Sequence, residues 1–188
     1  MQTMRRRMDV IILAAGKGTR LGLTDRPKPL ADINGRPFIT YIFDQLIEAG
    51  FKEVVVCISH MAEKFYELFL NGYESLRIGY CTEAEPMGAG RTLKNAKLWL
   101  SEDFVLVING DTYVDINIKD YIKAFEESNA VCSIVLHQNI NAGMYIIKRE
   151  FIPYITADEP FHTYSGEFID IGTIDRLEEF RDHNKDKL

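Results

Sequence analysis

Asp9 to Gly22 reads DVIILAAGKGTRLG, an apolar run followed at once by a glycine-rich turn that carries two basic residues. Val10 to Ala14 is long enough for a buried strand and too short for a helix. Beyond the turn, Ile39, Ile42, Phe43, Leu46 and Ile47 recur at helical spacing within Pro37 to Ala49, and Gly50 stands where a helix-ending glycine belongs. Strand, loop and helix form the opening unit.

The same alternation continues along the chain. Strands are predicted at Glu53–Ser59, Leu76–Cys81, Phe104–Asn109, Val131–Leu136 and Met144–Ile147. Helices are predicted at Ala62–Leu70, Thr92–Leu100, Ile118–Glu127 and Ile174–Asn184. The strands are continuous β-branched runs, the pattern of a sheet covered on both faces. The fold class expected is α/β, a Rossmann-like three-layer α/β/α sandwich around a mostly parallel mixed sheet. With 188 residues, 46% of them hydrophobic, the chain suits a single domain over 1–188.

Charge and cysteine usage exclude several classes of function. A net charge of −6 is wrong for a surface that covers a nucleic-acid backbone, so any phosphate must be gripped locally. Arg5-Arg6-Arg7 precedes the first strand and reads as a solvated tail. No run approaches a membrane span and no signal peptide is visible, so a cytoplasmic protein without a membrane partner is expected. Cys57, Cys81 and Cys132 lack metal or disulfide spacing and read as buried free thiols.

In such sheets ligands bind beyond the carboxyl ends of the strands, where the Ala15 to Gly22 loop falls. A dinucleotide fingerprint fits poorly, because Gly16 and Gly18 are followed by Leu21 with the next glycine one place late, and no acidic residue follows at the ribose position. A Walker A loop fails as well, since Gly16-Lys17 is followed by Gly18 and the earlier glycine position is Ile11. What remains is a turn of small residues, Ala14, Ala15, Gly16 and Gly18, followed by Arg20 and by Lys28 held between Pro27 and Pro29. Two cations and a run of backbone N–H groups suit a polyphosphate.

The pair of segments Leu13 to Leu21 (LAAGKGTRL) and Pro27 to Leu30 (PKPL) resembles the signature of the sugar-1-phosphate nucleotidyltransferases, enzymes that join an NTP to a sugar 1-phosphate and release pyrophosphate. Glu83–Gly90 resembles the base-binding loop of that family, Asn109–Thr112 its metal-binding strand end, Asn141–Tyr145 its sugar-binding segment and Phe168–Thr173 its second metal motif. Pro27–Phe38 and the FIDIGT segment are most similar to D-glycero-D-manno-heptose 1-phosphate guanylyltransferases, with mannose 1-phosphate guanylyltransferases as near neighbours. The resemblance implies GTP and a heptose 1-phosphate as substrates, bacterial surface polysaccharide synthesis as the setting, and small molecules as the partners. A homo-oligomer stays open. A non-sugar cytidylyltransferase and a non-catalytic nucleotide-sugar-binding regulator remain as alternatives.

Roles follow from charge. Attack on a triphosphate brings two anions together, so the site needs fixed positive charge and a divalent cation, Mg²⁺. Asp111 and Asp170 would hold it; otherwise Asp111 is a turn former and Asp170 a helix N-terminal carboxylate. Arg20 and Lys28 would neutralise phosphate oxygens, while Lys17 is equally well a solvated residue. Leu13, Ala14, Ala15, Gly16, Gly18, Thr19 and Gly88 would let the nucleotide approach the backbone. Glu83 would accept hydrogen bonds from a base, guanine above all, unless it is a plain loop acid. Asn141 and Gly143 would meet the sugar, or build an ordinary turn.

One departure stands out. Family members place some tens of residues, including a Glu-Lys pair whose lysine binds the sugar phosphate, between the strand at Ser133–Leu136 and the Asn-Ala-Gly motif. Here His137-Gln138 runs straight into Asn139-Ile140-Asn141, and a second shortening falls around Phe161 to Tyr164. Either loops are left out of this sequence or the chain is naturally deleted there. The first is favoured, because a deletion would remove a sheet crossover and a substrate lysine.

Overall fold

The computed structural model describes residues 8–16, 25–128, 130–154, 162–170 and 174–183. Seven strands form the main sheet: β1 (Met8–Leu13), β4 (Glu53–Ile58), β5 (Arg77–Thr82), β6 (Phe104–Asn109), β8 (Cys132–His137), β9 (Ile140–Lys148) and β10 (His162–Ser165). Their order across the sheet is β10-β8-β9-β6-β1-β4-β5. β1 pairs in parallel with both β4 and β6, and β4 with β5, whereas β9 runs antiparallel to both its neighbours, β6 and β8. The sheet is therefore mixed and mostly parallel, as expected.

Period-two alternation explains why both faces are covered. In β1, Val10 and Ile12 enter one core and Ile11 the other; in β6, Phe104, Leu106 and Ile108 face the first and Val105 and Val107 the second. The first face is covered by α1 (Ile39–Ala49), α2 (Ala62–Phe69), α4 (Ile118–Ser128) and α5 (Ile174–His183), through residues such as Phe43, Phe65, Tyr121 and Phe180. The second is covered by α3 (Ala89–Ala96) through Leu93 and Ala96, with Leu100 and Ile152. Helices α1 and α2 thus connect β1, β4 and β5 on one side, and α3 returns the chain to β6 on the other. That reversal makes the β1/β6 junction the switch point of the sheet, the place where ligands of such sheets bind beyond the carboxyl ends of the strands.

Several expectations shift. α1 ends as foreseen, with Gly50 in the left-handed region at φ 94°. α3 starts three residues before its predicted start, because Gly88 at φ 82° accepts from the backbone N–H groups of Arg91 and Thr92 and so opens the helix. Gly90 consequently lies in a helix rather than in a loop. Four short elements lay outside the prediction: the hairpin of β2 (Asp32–Ile33) and β3 (Arg36–Pro37), and the pair of β7 (Thr112–Asp115) and β11 (Glu167–Asp170), in addition to β10. The free cysteines are buried as expected, and burial pushes the Cys57 and Cys81 thiols above their ordinary range.

The close join at His137–Ile140 also finds its place. β8 and β9 are antiparallel neighbours joined through Gln138 and Asn139, both at positive φ (48° and 66°), as a two-residue primed hairpin turn requires. Antiparallel strands need no crossover, so the sheet is complete without one, contrary to the fold half of the argument for omitted loops.

Candidate active site

The sheet register lines up the sequence motifs. Leu13 pairs with Asn109 on one side and with Cys57 on the other, and Cys57 with Cys81, so one row crosses the ends of β6, β1, β4 and β5. Two residues past that row stand Asp111, Ala15, Ser59 and Glu83. The ladder continues through this step: Gly110 N–H donates to the Leu13 carbonyl (2.8 Å), Ala14 N–H to Cys57 (2.9 Å) and Glu83 N–H to Ile58 (2.8 Å). At about 4.8 Å per strand, Asp111 and Glu83 are separated by about 14 Å along the edge.

Each wall of this edge is fixed by packing. Gly110 is closely packed, since a Cβ there would stand 3.0 Å from the Ala14 Cβ and 3.1 Å from the Leu13 carbonyl oxygen. Ser59 Oγ donates to the Ala15 carbonyl (2.8 Å) and pins the start of the turn. Among the described residues, nothing stands within 4 Å of where a Cβ on Gly16 would lie. Lys17, Gly18, Thr19 and Arg20 lie outside the described residues, so their expected phosphate contacts rest on the sequence.

Lys28 sits in a single 3-10 turn, Lys28–Leu30, flanked by Pro27 and containing the buried Pro29. Its Nζ donates to Asp111 Oδ2 at 2.7 Å, and the lysine is the more buried of the two, its side chain 11% exposed against 40% for the carboxylate. Residues 83 apart in sequence thus meet at the end of β6, and Thr112 Oγ1 adds a longer contact to Asp111 Oδ1 (3.3 Å). Asp170 ends β11 and pairs in register with Thr112, the neighbour of Asp111. The backbone register therefore sets Asp170 beside the neighbour of Asp111 in the chain. Among the described residues no group of three or more His, Cys, Asp or Glu side chains is placed to hold a metal ion.

The β5 end differs in kind. Glu83 is 4% exposed; its Oε2 accepts from Thr92 Oγ1 at 2.9 Å, and its Oε1 is buried with no partner. Thr92, itself 2% exposed, stands in the first turn of α3, a position the sequence reading passed over. Nothing in the residue type pointed to it, because the contact exists only once α3 packs against the sheet at β1 and β4 and brings its first turn to the residue that follows β5.

At the other side of the switch point, Gly143 in β9 packs on Asn109. Its φ is +77°, which favours glycine, and a Cβ would lie 2.6 Å from Asn109 Nδ2, so that side chain would have to move aside for any larger residue. Asn141 is exposed, and its Oδ1 accepts from Gly143 N–H at 2.8 Å, a turn-forming bond within the strand.

A family model described as nucleotidyl transferase matches residues 9–150. The chain belongs to that family. It is 39% identical over 113 residues to D-glycero-alpha-D-manno-heptose 1-phosphate guanylyltransferase of Campylobacter jejuni subsp. jejuni serotype O:2, covering 59% of this chain and 51% of that protein. It is 32% identical over 133 residues to UTP–glucose-1-phosphate uridylyltransferase AglF of Haloferax volcanii, covering 70% and 54% respectively. This nucleotidyl transferase chain therefore spans about half the length of the curated relatives it matches. The crystal structure of HddC from Yersinia pseudotuberculosis superposes with a TM-score of 0.80 at 24% identity, over 94% of this chain and 99% of that one, and shows the same fold. Among the described residues, no helix is long and apolar enough to cross a membrane.

Proposed function

We propose that this protein transfers a guanylyl group from GTP to a sugar 1-phosphate, D-glycero-D-manno-heptose 1-phosphate, giving a nucleotide-diphosphate sugar and pyrophosphate. One observation carries the reading: a single strand-end edge holds a Lys28–Asp111 pair at the switch point and a buried acceptor, Glu83, three strands away. A nucleotide laid along that edge has its phosphates at β1 and β6 and its base at β5. The choice of guanine rests on Glu83, because a carboxylate acceptor suits a base edge that carries both a ring N–H and an amino group. The choice of heptose rests on the Campylobacter relative.

In the reaction, an oxygen of the sugar phosphate attacks the α-phosphorus, the bond to the β-phosphate oxygen breaks, and pyrophosphate leaves with the electron pair. No protein nucleophile is needed, since the attacking phosphate monoester is already ionised near neutral pH. A divalent cation held by Asp111 and Asp170 would supply neutralising charge to the triphosphate. Lys28 would trade its bond to Asp111 for a phosphate oxygen, and Arg20 would offset charge on the leaving group. Ala15 and Gly16 would let the phosphates approach the backbone, and Gly143 would keep the acceptor side clear.

The test is pyrophosphate release with each of GTP, UTP, CTP, ATP and dTTP and Mg²⁺, against heptose, mannose and glucose 1-phosphates. Release confined to GTP with the heptose substrate is the expected result. Release with UTP and glucose 1-phosphate instead would transfer the reading to that of the Haloferax relative. Silence with every pair, from a protein that still binds GTP, would make it a nucleotide-binding regulator.

A further inference from the structure

We propose that Thr92 is the positioning residue for nucleobase selection: its hydroxyl holds one oxygen of Glu83 and so fixes the carboxylate, whose other oxygen, buried and without a partner among the described residues, would take a donor from guanine. The inference rests on the reading of Glu83 as a base acceptor. Glu83 is tied down at two points, by its backbone N–H to the Ile58 carbonyl (2.8 Å) and by Thr92 Oγ1 to Oε2 (2.9 Å). A hydroxyl has one proton, and here Thr92 gives it to Oε2; the branched Cβ of threonine limits the side-chain rotamers from which it can do so. Thr92 is in turn fixed by the start of α3, its N–H donating to the Gly88 carbonyl at 3.0 Å. Base loop, helix start and carboxylate are thereby locked together.

The arrangement has an energetic consequence. A buried carboxylate oxygen without a partner is costly, and the cost is cancelled when a donor arrives. Guanine brings two donors on one edge, N1–H and the 2-amino group, and an oxygen with two lone pairs can accept both. Without the Thr92 hydroxyl, Glu83 can turn either oxygen inward or draw water to both, and the distinction between a base with the second donor and one without it is lost.

GTP and ITP differ only in the 2-amino group, so their relative binding reads this geometry directly. Calorimetric titration with each nucleotide and Mg²⁺, without acceptor, should show the wild-type protein favouring GTP by about tenfold, the worth of one hydrogen bond to a charged group. Thr92→Val, which keeps shape and removes the hydroxyl, should bring the two affinities within about twofold, and Thr92→Ser should restore the preference. Thr92→Ala provides the same test should the valine variant not fold. A Thr92→Val or Thr92→Ala protein that folds and keeps the wild-type GTP/ITP ratio overturns the positioning role and leaves the guanylyl reading standing. A wild-type protein that binds UTP as tightly as GTP overturns the guanylyl reading, and the role of Thr92 falls with it.

Discussion

The two sides of the switch point are built on opposite principles. At the β5 end, a carboxylate that is 4% exposed keeps one oxygen engaged and one bare, an arrangement that costs free energy in the absence of a ligand. At the β9 end, Asn141 is exposed, and its oxygen is engaged by Gly143 N–H. Strain and unsatisfied groups collect where a site must discriminate. Under the proposed function, the contrast would give recognition to the β5 end and backbone shaping to the β9 end. The Lys28–Asp111 pair lies between them, where the bonds would be exchanged.

The contrast breaks most sharply at the centre. Asp111→Asn should lower turnover by roughly a hundredfold or more, since it removes a charge at the point where anions meet, while the melting temperature stays close to wild type because the residue lies at a partly exposed strand end. Steady-state pyrophosphate release together with thermal melting checks this, and near-wild-type activity would remove Asp111 from the chemistry. At the base wall, Glu83→Gln replaces an acceptor oxygen with a donor group at nearly constant volume. KM for GTP should rise by roughly ten- to a hundredfold, with kcat little changed. An equal fall in kcat at saturating GTP would mean that Glu83 acts on the reacting phosphate rather than on the base.

The acceptor wall should respond through stability instead. Gly143→Ala introduces a Cβ 2.6 Å from Asn109 Nδ2 at a backbone φ of +77°, so it should cost about 1–3 kcal/mol in denaturant unfolding. An unchanged midpoint would show that Asn109 yields without cost and that the glycine serves the ligand alone.

What was legible in the sequence follows the same division. β1 and β6 are buried on both faces, so their apolar runs stand out, and the doubly covered sheet follows from them. β7 and β11 were not legible, because two four-residue strands that pair only with each other need no apolar period. The ends of β1 and β6 were recognisable through the family resemblance. Yet the meeting of Lys28 with Asp111 across 83 residues is a product of sheet order that no local pattern reports. Thr92 shows the limit most clearly, since its partner is set by the helix start at Gly88 and by the packing of α3 against β1 and β4.

Asn141 sharpens the comparison at its weakest point. Among the described residues its side chain makes one hydrogen bond, from Gly143 N–H, on an exposed stretch of β9, so Asn141→Ala should cost only about 0.5–1.5 kcal/mol of stability. A residue that shapes a turn and nothing else should leave KM for the sugar phosphate unchanged once the protein is folded. A residue that also meets a sugar hydroxyl should raise that KM by about tenfold while KM for GTP stays put, because Glu83, the proposed base acceptor, lies across the sheet beyond β5. Measuring the two KM values beside the unfolding midpoint separates these cases. The first result would leave the acceptor wall as scaffold; the second would make the Asn141 turn a contact surface whose oxygen is held by Gly143 N–H and whose amide reaches the sugar.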